Sequence, residues 1–272
     1  MAKSQPVYIR KGENVMKAIK DIGYRHSNWQ VFQDFLALSA ISISNTVDWG
    51  NAKQRESEYM EIIQRYNEEE RLKLAQTLKL LITEMTIEAE KGGPYDILGS
   101  VFHGLELHNK YKGQFFTPFH VCHLMGEISL DDSIADGANE KNYISVCEPC
   151  VGSGGLVLGF AAAMQGKKMD YQRKLCVTAC DIDIKCVHMA YLQLGLYGIP
   201  AKIIHGNSLT NEVWSEWYTP MYMMHGWTFK ERRTMEDIAD AQRVRDTEKE
   251  IQIPMEEMLN IKELDNGQLC LF

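Results

Sequence analysis

The sequence predicts an α/β chain: a helical N-terminal region that leads into a Rossmann-like parallel sheet. Three observations carry that prediction. Up to about residue 110 apolar residues recur at helical spacing, and no alternating β-branched run interrupts them. Beyond it three short apolar or β-branched runs, 143–147, 175–180 and 201–205, are separated by helical stretches, which is the rhythm of parallel strands joined by crossover helices. The first of these runs passes through a glycine-rich turn directly into a helix.

Taken in order, the first helix covers Asn28 to Ile43, where Val31, Phe32, Phe35, Leu36 and Leu38 share a face. An amphipathic helix follows from about Ser57 to Tyr66. The next is bounded by its own chemistry: Glu68, Glu69 and Glu70 place acids on the first turn, and Lys91-Gly92-Gly93-Pro94 ends it. Its apolar face is expected to be Leu72, Ala75, Leu78 and Leu81 or Ile82. A short helix, Ile97 to Leu107, closes the N-terminal region at residues 1–110. The sheet domain spans 111–228, with a fourth strand expected through Met221-Tyr222-Met223-Met224. Residues 229–272 read as a charged helix followed by a mobile tail.

Composition narrows the function. A chain of 272 residues with 45% hydrophobic and 24% charged residues has the make-up of a globular protein. Its formal charge of −8 gives no general attraction to nucleic acid or anionic lipid, so DNA is held weakly by the chain alone and any contact is local or helped by a partner. No apolar run is long enough to cross a bilayer and the first residues form no secretory segment, so a cytoplasmic protein without membrane contact is expected. Seven cysteines scattered through apolar stretches suit reduced thiols. The Cys147-Glu148-Pro149-Cys150 pair falls inside the glycine-rich turn and lacks a matching second pair, so no metal site is assigned. The histidines, among them His103, His108, His120 and His123, read as surface or structural.

The turn Glu148-Pro149-Cys150-Val151-Gly152-Ser153-Gly154-Gly155 carries the chemistry. Glycines there let a ligand approach the backbone, and the helix start offers N–H donors to an anion. Asp181, with Asp183 beside it, ends the second strand where nucleotide-binding folds hold ribose hydroxyls with an acid. Asn207 ends the third, where an amide meets an adenine edge.

Residues 95–210 resemble the cofactor-binding half of the adenine-N6 DNA methyltransferases, particularly the modification subunit of type I restriction-modification systems. Gly113-Gln114-Phe115-Phe116-Thr117-Pro118 is similar to the family's Gly-x-aromatic-aromatic-Thr-Pro segment, and 148–155 to its Asp/Glu-Pro-x-x-Gly-(Ser/Thr)-Gly-Gly loop. Leu194-Gly195-Leu196-Tyr197-Gly198-Ile199 is similar to its helix ending in Leu-x-Gly-Ile. The resemblance implies a truncated S-adenosylmethionine-dependent methyltransferase sheet. It assigns the cofactor to Phe116, Thr117, Glu148, Cys150, Gly152, Ser153, Gly154, Asp181, Ile182 and Asn207, with Phe116 and Thr117 capping the methionine part and Ile182 packing on adenine. It also implies DNA as substrate and a specificity or restriction subunit as partner.

One departure stands out. Family members that methylate adenine carry Asn-Pro-Pro-(Tyr/Phe) after the fourth strand, and all seven prolines here are isolated. Tyr218, Thr219 and Pro220 are the nearest stand-ins for an acceptor-base site. The alternative function is therefore a catalytically inactive cofactor-binding module that works through a partner. The aromatic cluster from Trp214 to Phe229, followed by Lys230, Arg232 and Arg233, reads either as a base-stacking surface or as a wall of the sheet. Gln268-Leu269-Cys270-Leu271-Phe272 resembles the peptide that docks on the DNA sliding clamp, with Gln268 as polar anchor and Leu269, Leu271 and Phe272 as the apolar contacts.

Overall fold

The structure, a computed structural model, describes residues 11–107, 116–130, 143–227, 229, 261–263 and 269–271. The chain divides into two compact units, Met1–Trp227 and Thr228–Phe272.

Five helices open the first unit: α1 (Glu13–Ile22), α2 (Asn28–Ser44), α3 (Trp49–Ile63), α4 (Glu68–Gly92) and α5 (Ile97–Gly104). Side chains set the starts of three of them, α2, α4 and α5. The Ser27 hydroxyl accepts from the Gln30 N–H at the start of α2. Asn67 and Glu70 form a reciprocal capping box on α4, each side chain accepting from the other's N–H at 2.9 Å. The buried face of α4 differs from the expected one: Leu74, Thr77, Leu81 and Met85 are buried, while Leu72 is 59% exposed. Two leucine stripes satisfy the same periodicity, and packing against α1, with its buried Val15, Ile19 and Ile22, selects between them.

The sheet follows α6 (Phe119–Ser129). Its elements are β1 (Ile144–Glu148), α7 (Gly155–Gly166), α8 (Tyr171–Lys174), β2 (Leu175–Asp181), α9 (Ile184–Leu196), β3 (Ala201–Asn207), β4 (Glu212–Tyr218) and α10 (Pro220–Met224). The strand order is β1-β2-β3-β4. The first three strands are parallel, in a register that sets Glu148 beside Ala179 and Asp181 beside His205. The fourth corrects the expectation. It runs antiparallel to β3 as the second arm of a hairpin, and Met221–Met224 is helical. Pro220 fixes the first helical position after Thr219, and Asn211, at φ 58°, turns the chain back after β3.

One hydrophobic core joins the helical region to the sheet: Leu36, Ile41, Leu98, Leu158 and Leu192 pack with Val177, Ala179, Ile203 and Trp217. Arg55 of α3 ties the two together, donating to Asp48 at 2.6 Å and to the Glu216 carbonyl at 2.8 Å and lying 4.2 Å from the Trp217 ring. Helices α6 and α7 approach backbone to backbone. A Cβ on Gly159 would stand 2.5 Å from the Cys122 carbonyl, and one on Gly126 would stand 2.7 Å from the Gly159 carbonyl.

In the second unit β5 (Ile261–Glu263) pairs antiparallel with β6 (Leu269–Leu271). The tail expected to be mobile thus contains a paired strand. The expected helix after residue 229 lies outside the described residues, as do Gln268 and Phe272.

Candidate cofactor site

Glu148, Asp181 and Asn207 are the last residues of β1, β2 and β3, so the three parallel strands finish on one rim. The turn after β1 is fastened to β2 by the Val151 N–H, which donates to the Cys180 carbonyl at 2.9 Å. It then passes Gly152 at φ 55° and Gly154 at φ 94°, left-handed conformations in which a side chain is strained, and enters α7. A Cβ on Gly152 would lie 3.1 Å from the Phe116 ring, so this glycine keeps open the gap between the turn and the Phe116-Thr117 segment.

Asp181 is held by the backbone around it. Its Oδ2 accepts from the Gly152 N–H and its Oδ1 from the Asp183 N–H, both at 2.9 Å. Burial raises its pKa above the ordinary aspartate value, and those two N–H groups pull against the rise. Each oxygen keeps a further lone pair, enough to receive a pair of hydroxyls.

Phe116, Thr117, Cys150, Gly152, Ser153 and Asp181 line one cavity of about 280 Å³. The other assigned residues stand outside its lining. Gly154 caps α7. Glu148 turns its carboxylate back to the Cys150 N–H at 3.0 Å, and Asn207 accepts from the Leu209 N–H at 3.0 Å. Ile182 is 62% exposed on the rim, an apolar surface next to Asp181.

Tyr218, Thr219 and Pro220 are not brought to this rim. Thr219 is fully buried, accepting from the Ala201 N–H at 2.9 Å and donating to the Ile199 carbonyl at 2.8 Å. Ala201 begins β3, so the three residues lie at the opposite end of the sheet from Asn207. Of the aromatic cluster, Trp217, Tyr222 and Trp227 are buried and form wall, while Trp214 is half exposed against His205. In the tail, Leu269 and Leu271 belong to β6.

Sequence reasoning missed the support behind the cavity. Asp96, the N-cap of α5, accepts from Ser153 Oγ at 2.5 Å, from Gln193 Nε2 at 2.8 Å and from the Gly99 N–H at 2.7 Å. Gln193 also donates to the Ser153 carbonyl at 2.7 Å and accepts from the Leu98 N–H at 3.0 Å. This buried network locks the turn to the helical region. Its signal in the sequence is a lone amide, Gln193, in the apolar run Met189 to Leu196. Cys122 and Cys186 also line the cavity. Burial pushes the Cys122 thiol up to about 11 and the Cys186 thiol further still, which keeps both neutral.

S-adenosylmethionine, the cofactor that the resemblance implies, fits these residues in kind: a carboxylate for a ribose diol, an exposed isoleucine for a flat ring, and a glycine, Gly152, facing Phe116. Among solved structures the chain is similar to a class I S-adenosylmethionine-dependent methyltransferase from Listeria monocytogenes, at 13% identity and a TM-score of 0.39, over 75% of this chain and 56% of that one. No curated protein matches the chain. Residues 95–253 match the family described as N-6 DNA methylase. That match covers more than half of the sequence, and the chain belongs to the N-6 DNA methylase family.

Proposed function

We propose that the chain is the cofactor-holding part of a cytoplasmic DNA adenine-N6 methyltransferase, working in a restriction-modification or mobile-element system and reaching DNA with the help of a partner. The observation that carries this reading is the Asp181 carboxylate, fixed by the Gly152 and Asp183 N–H groups on the wall of a cavity that Phe116 and Thr117 close from the other side. S-adenosylmethionine, the cofactor of the family, supplies a methyl group on a sulfonium. Asp181 receives the ribose hydroxyls, Ile182 lies under the adenine ring, and the Asn207 amide meets its edge. Gly152 brings backbone close to the methionine part, and Phe116 and Thr117 cover it.

Isothermal titration with S-adenosylmethionine tests the reading. Asp181→Ala weakens binding by about 1–3 kcal/mol, the worth of hydrogen bonds to a charged group. Identical heats for wild type and variant remove Asp181 from the site. Transfer of a radiolabelled methyl group to mixed-sequence DNA, above a Gly152→Asp control, is expected once the partner is present.

The second reading, a non-catalytic module, is favoured by one observation: Thr219, the residue nearest to an acceptor motif in sequence, spends its hydroxyl on the Ala201 and Ile199 backbone. Transfer absent with every partner, together with intact cofactor binding, decides for it. Docking of the tail on a sliding clamp would require Leu269–Leu271 to leave its pairing with Ile261–Glu263. Clamp capture that survives deletion of Gln268 to Phe272 excludes that mode.

A further inference from the structure

We infer that the Asp96 carboxylate, besides supporting the turn, accepts from the α-ammonium group of S-adenosylmethionine. The inference rests on the methyltransferase reading and names what fixes the methionine end of its cofactor.

Asp96 is 4% exposed and stands directly behind the cofactor cavity. Its Oδ2 accepts at 2.5 Å from the hydroxyl of Ser153, a residue of the cavity lining. A Cβ on Gly155, also in the lining, would stand 3.3 Å from the same oxygen, so the missing side chain leaves Oδ2 room toward the cavity. Phe116 and Thr117 share one cavity wall with Asp181 and the next with Asp96. A cofactor whose ribose lies at Asp181 and whose methionine part runs under Phe116 and Thr117 therefore ends toward Asp96.

The hydrogen bonds around Asp96 solvate it without supplying a counter-charge. Oδ1 takes two donors, Gly99 N–H and Gln193 Nε2, whereas Oδ2 takes one, which leaves a lone pair. All three donors are neutral. Asp96 forms no ion pair among the described residues, and Lys11, which shares a cavity wall with it, is held by Glu88 at 2.6 Å. A buried carboxylate in this condition gains from a cationic donor. S-adenosylmethionine carries two cationic centres, and the sulfonium has no hydrogen to donate, so the ammonium is the one that suits Oδ2. The other acids of the turn and rim are engaged: Asp181 by the Gly152 and Asp183 N–H groups, and Glu148 by the Cys150 N–H.

The test titrates the full-length chain by calorimetry with two ligands, S-adenosylhomocysteine and its deaminated analogue, in which hydrogen replaces the α-amino group. Wild type, Asp96→Asn and Gln193→Met are compared. Asparagine removes the charge and can keep the network, its Oδ1 accepting from Gly99 and Gln193 and its Nδ2 donating to Ser153 Oγ. Gln193→Met loosens the network and leaves the charge in place. The wild type is expected to bind S-adenosylhomocysteine at least about tenfold more tightly than the analogue, as hydrogen bonds between charged groups allow. Asp96→Asn should lose most of that ratio while its affinity for the analogue stays within about twofold, and Gln193→Met should weaken both ligands alike and keep the ratio.

Equal affinity of the wild type for the two ligands overturns the inference, and that result needs no variant to fold. So does an Asp96→Asn chain that keeps the ratio, which would leave Asp96 only its hold on Ser153, and so does a Gln193→Met chain that loses it. A wild type that binds both ligands equally leaves the methyltransferase reading standing, whereas one that binds neither ligand defeats that reading and the inference with it.

Discussion

His188 shows how one side chain reports on its surroundings. It is buried on α9 with its ring edge-on to Trp217 at 4.7 Å, and burial, with smaller contributions from His205 and Arg55, pulls its pKa from 6.5 down to about 3. In the unfolded chain the imidazole takes up a proton near its ordinary value. Between those two values the unfolded state therefore binds more protons than the folded one, and stability falls as pH drops, by up to about 1.4 kcal/mol per unit. Above about 6.5 the residue adds no pH dependence. The urea midpoint of the wild type should drop between pH 7 and pH 5 more steeply than that of His188→Phe, and parallel slopes would show that other groups set the acid limit. Thr219 makes the complementary point. Replacing it with valine leaves the Ala201 N–H buried without an acceptor, at a cost of about 1–3 kcal/mol, while cofactor affinity stays the same. Thr219→Ser restores the hydroxyl and most of the stability. A valine variant of full stability that had lost methyl transfer would instead return Thr219 to the chemistry.

At the scale of elements, the sequence was legible wherever a local cause acts alone. The acids and glycines bounding α4, the turn from Val151 to Gly155 and the acid ending β2 are each required by their own backbone geometry, and each stands where the residues predict. What was not legible depends on a partner element. The buried stripe of α4 is chosen by α1, and the direction of β4 is set by pairing with β3 rather than by any pattern in Glu212 to Tyr218. The contact of α6 with α7 belongs to the same class, because two helices meet through Gly126 and Gly159 and neither glycine means anything without the other. The obstacle at Gly159 is the Cys122 backbone, which no rotamer change can move aside, so Gly159→Ala forces the helices apart. A loss of about 1–3 kcal/mol follows from overpacking of this kind. Because α6 follows directly on Pro118, cofactor affinity should fall as well, although residue 159 lies outside the cavity lining. A variant with native midpoint and native cofactor affinity would show that the two backbones have more room than the geometry allows.

For the first unit as a whole, the boundary expected near residue 110 is crossed by both its core and its polar network. Leu36 and Leu98 pack in the same cluster as Val177 and Ile203, Asp96 holds Ser153, and Arg55 reaches the Glu216 carbonyl from α3. Helices and sheet that share a core of this kind unfold together, so far-ultraviolet and near-ultraviolet circular dichroism should trace a single coincident transition. Arg55 is the sharpest probe of that coupling. It is 6% exposed and paired with Asp48, so Arg55→Met strands a buried carboxylate and costs about 3–5 kcal/mol. If the helical region and the sheet are one cooperative body, that loss shifts both signals by the same amount, and saturating S-adenosylmethionine, bound at the sheet rim, shifts both back. At a thousandfold excess over its dissociation constant a ligand restores about 4 kcal/mol, enough to offset most of the substitution. Two separated transitions, with only the near-ultraviolet one responding to cofactor, would mean that the helical region stands apart from the site and that Asp96 is incidental to it.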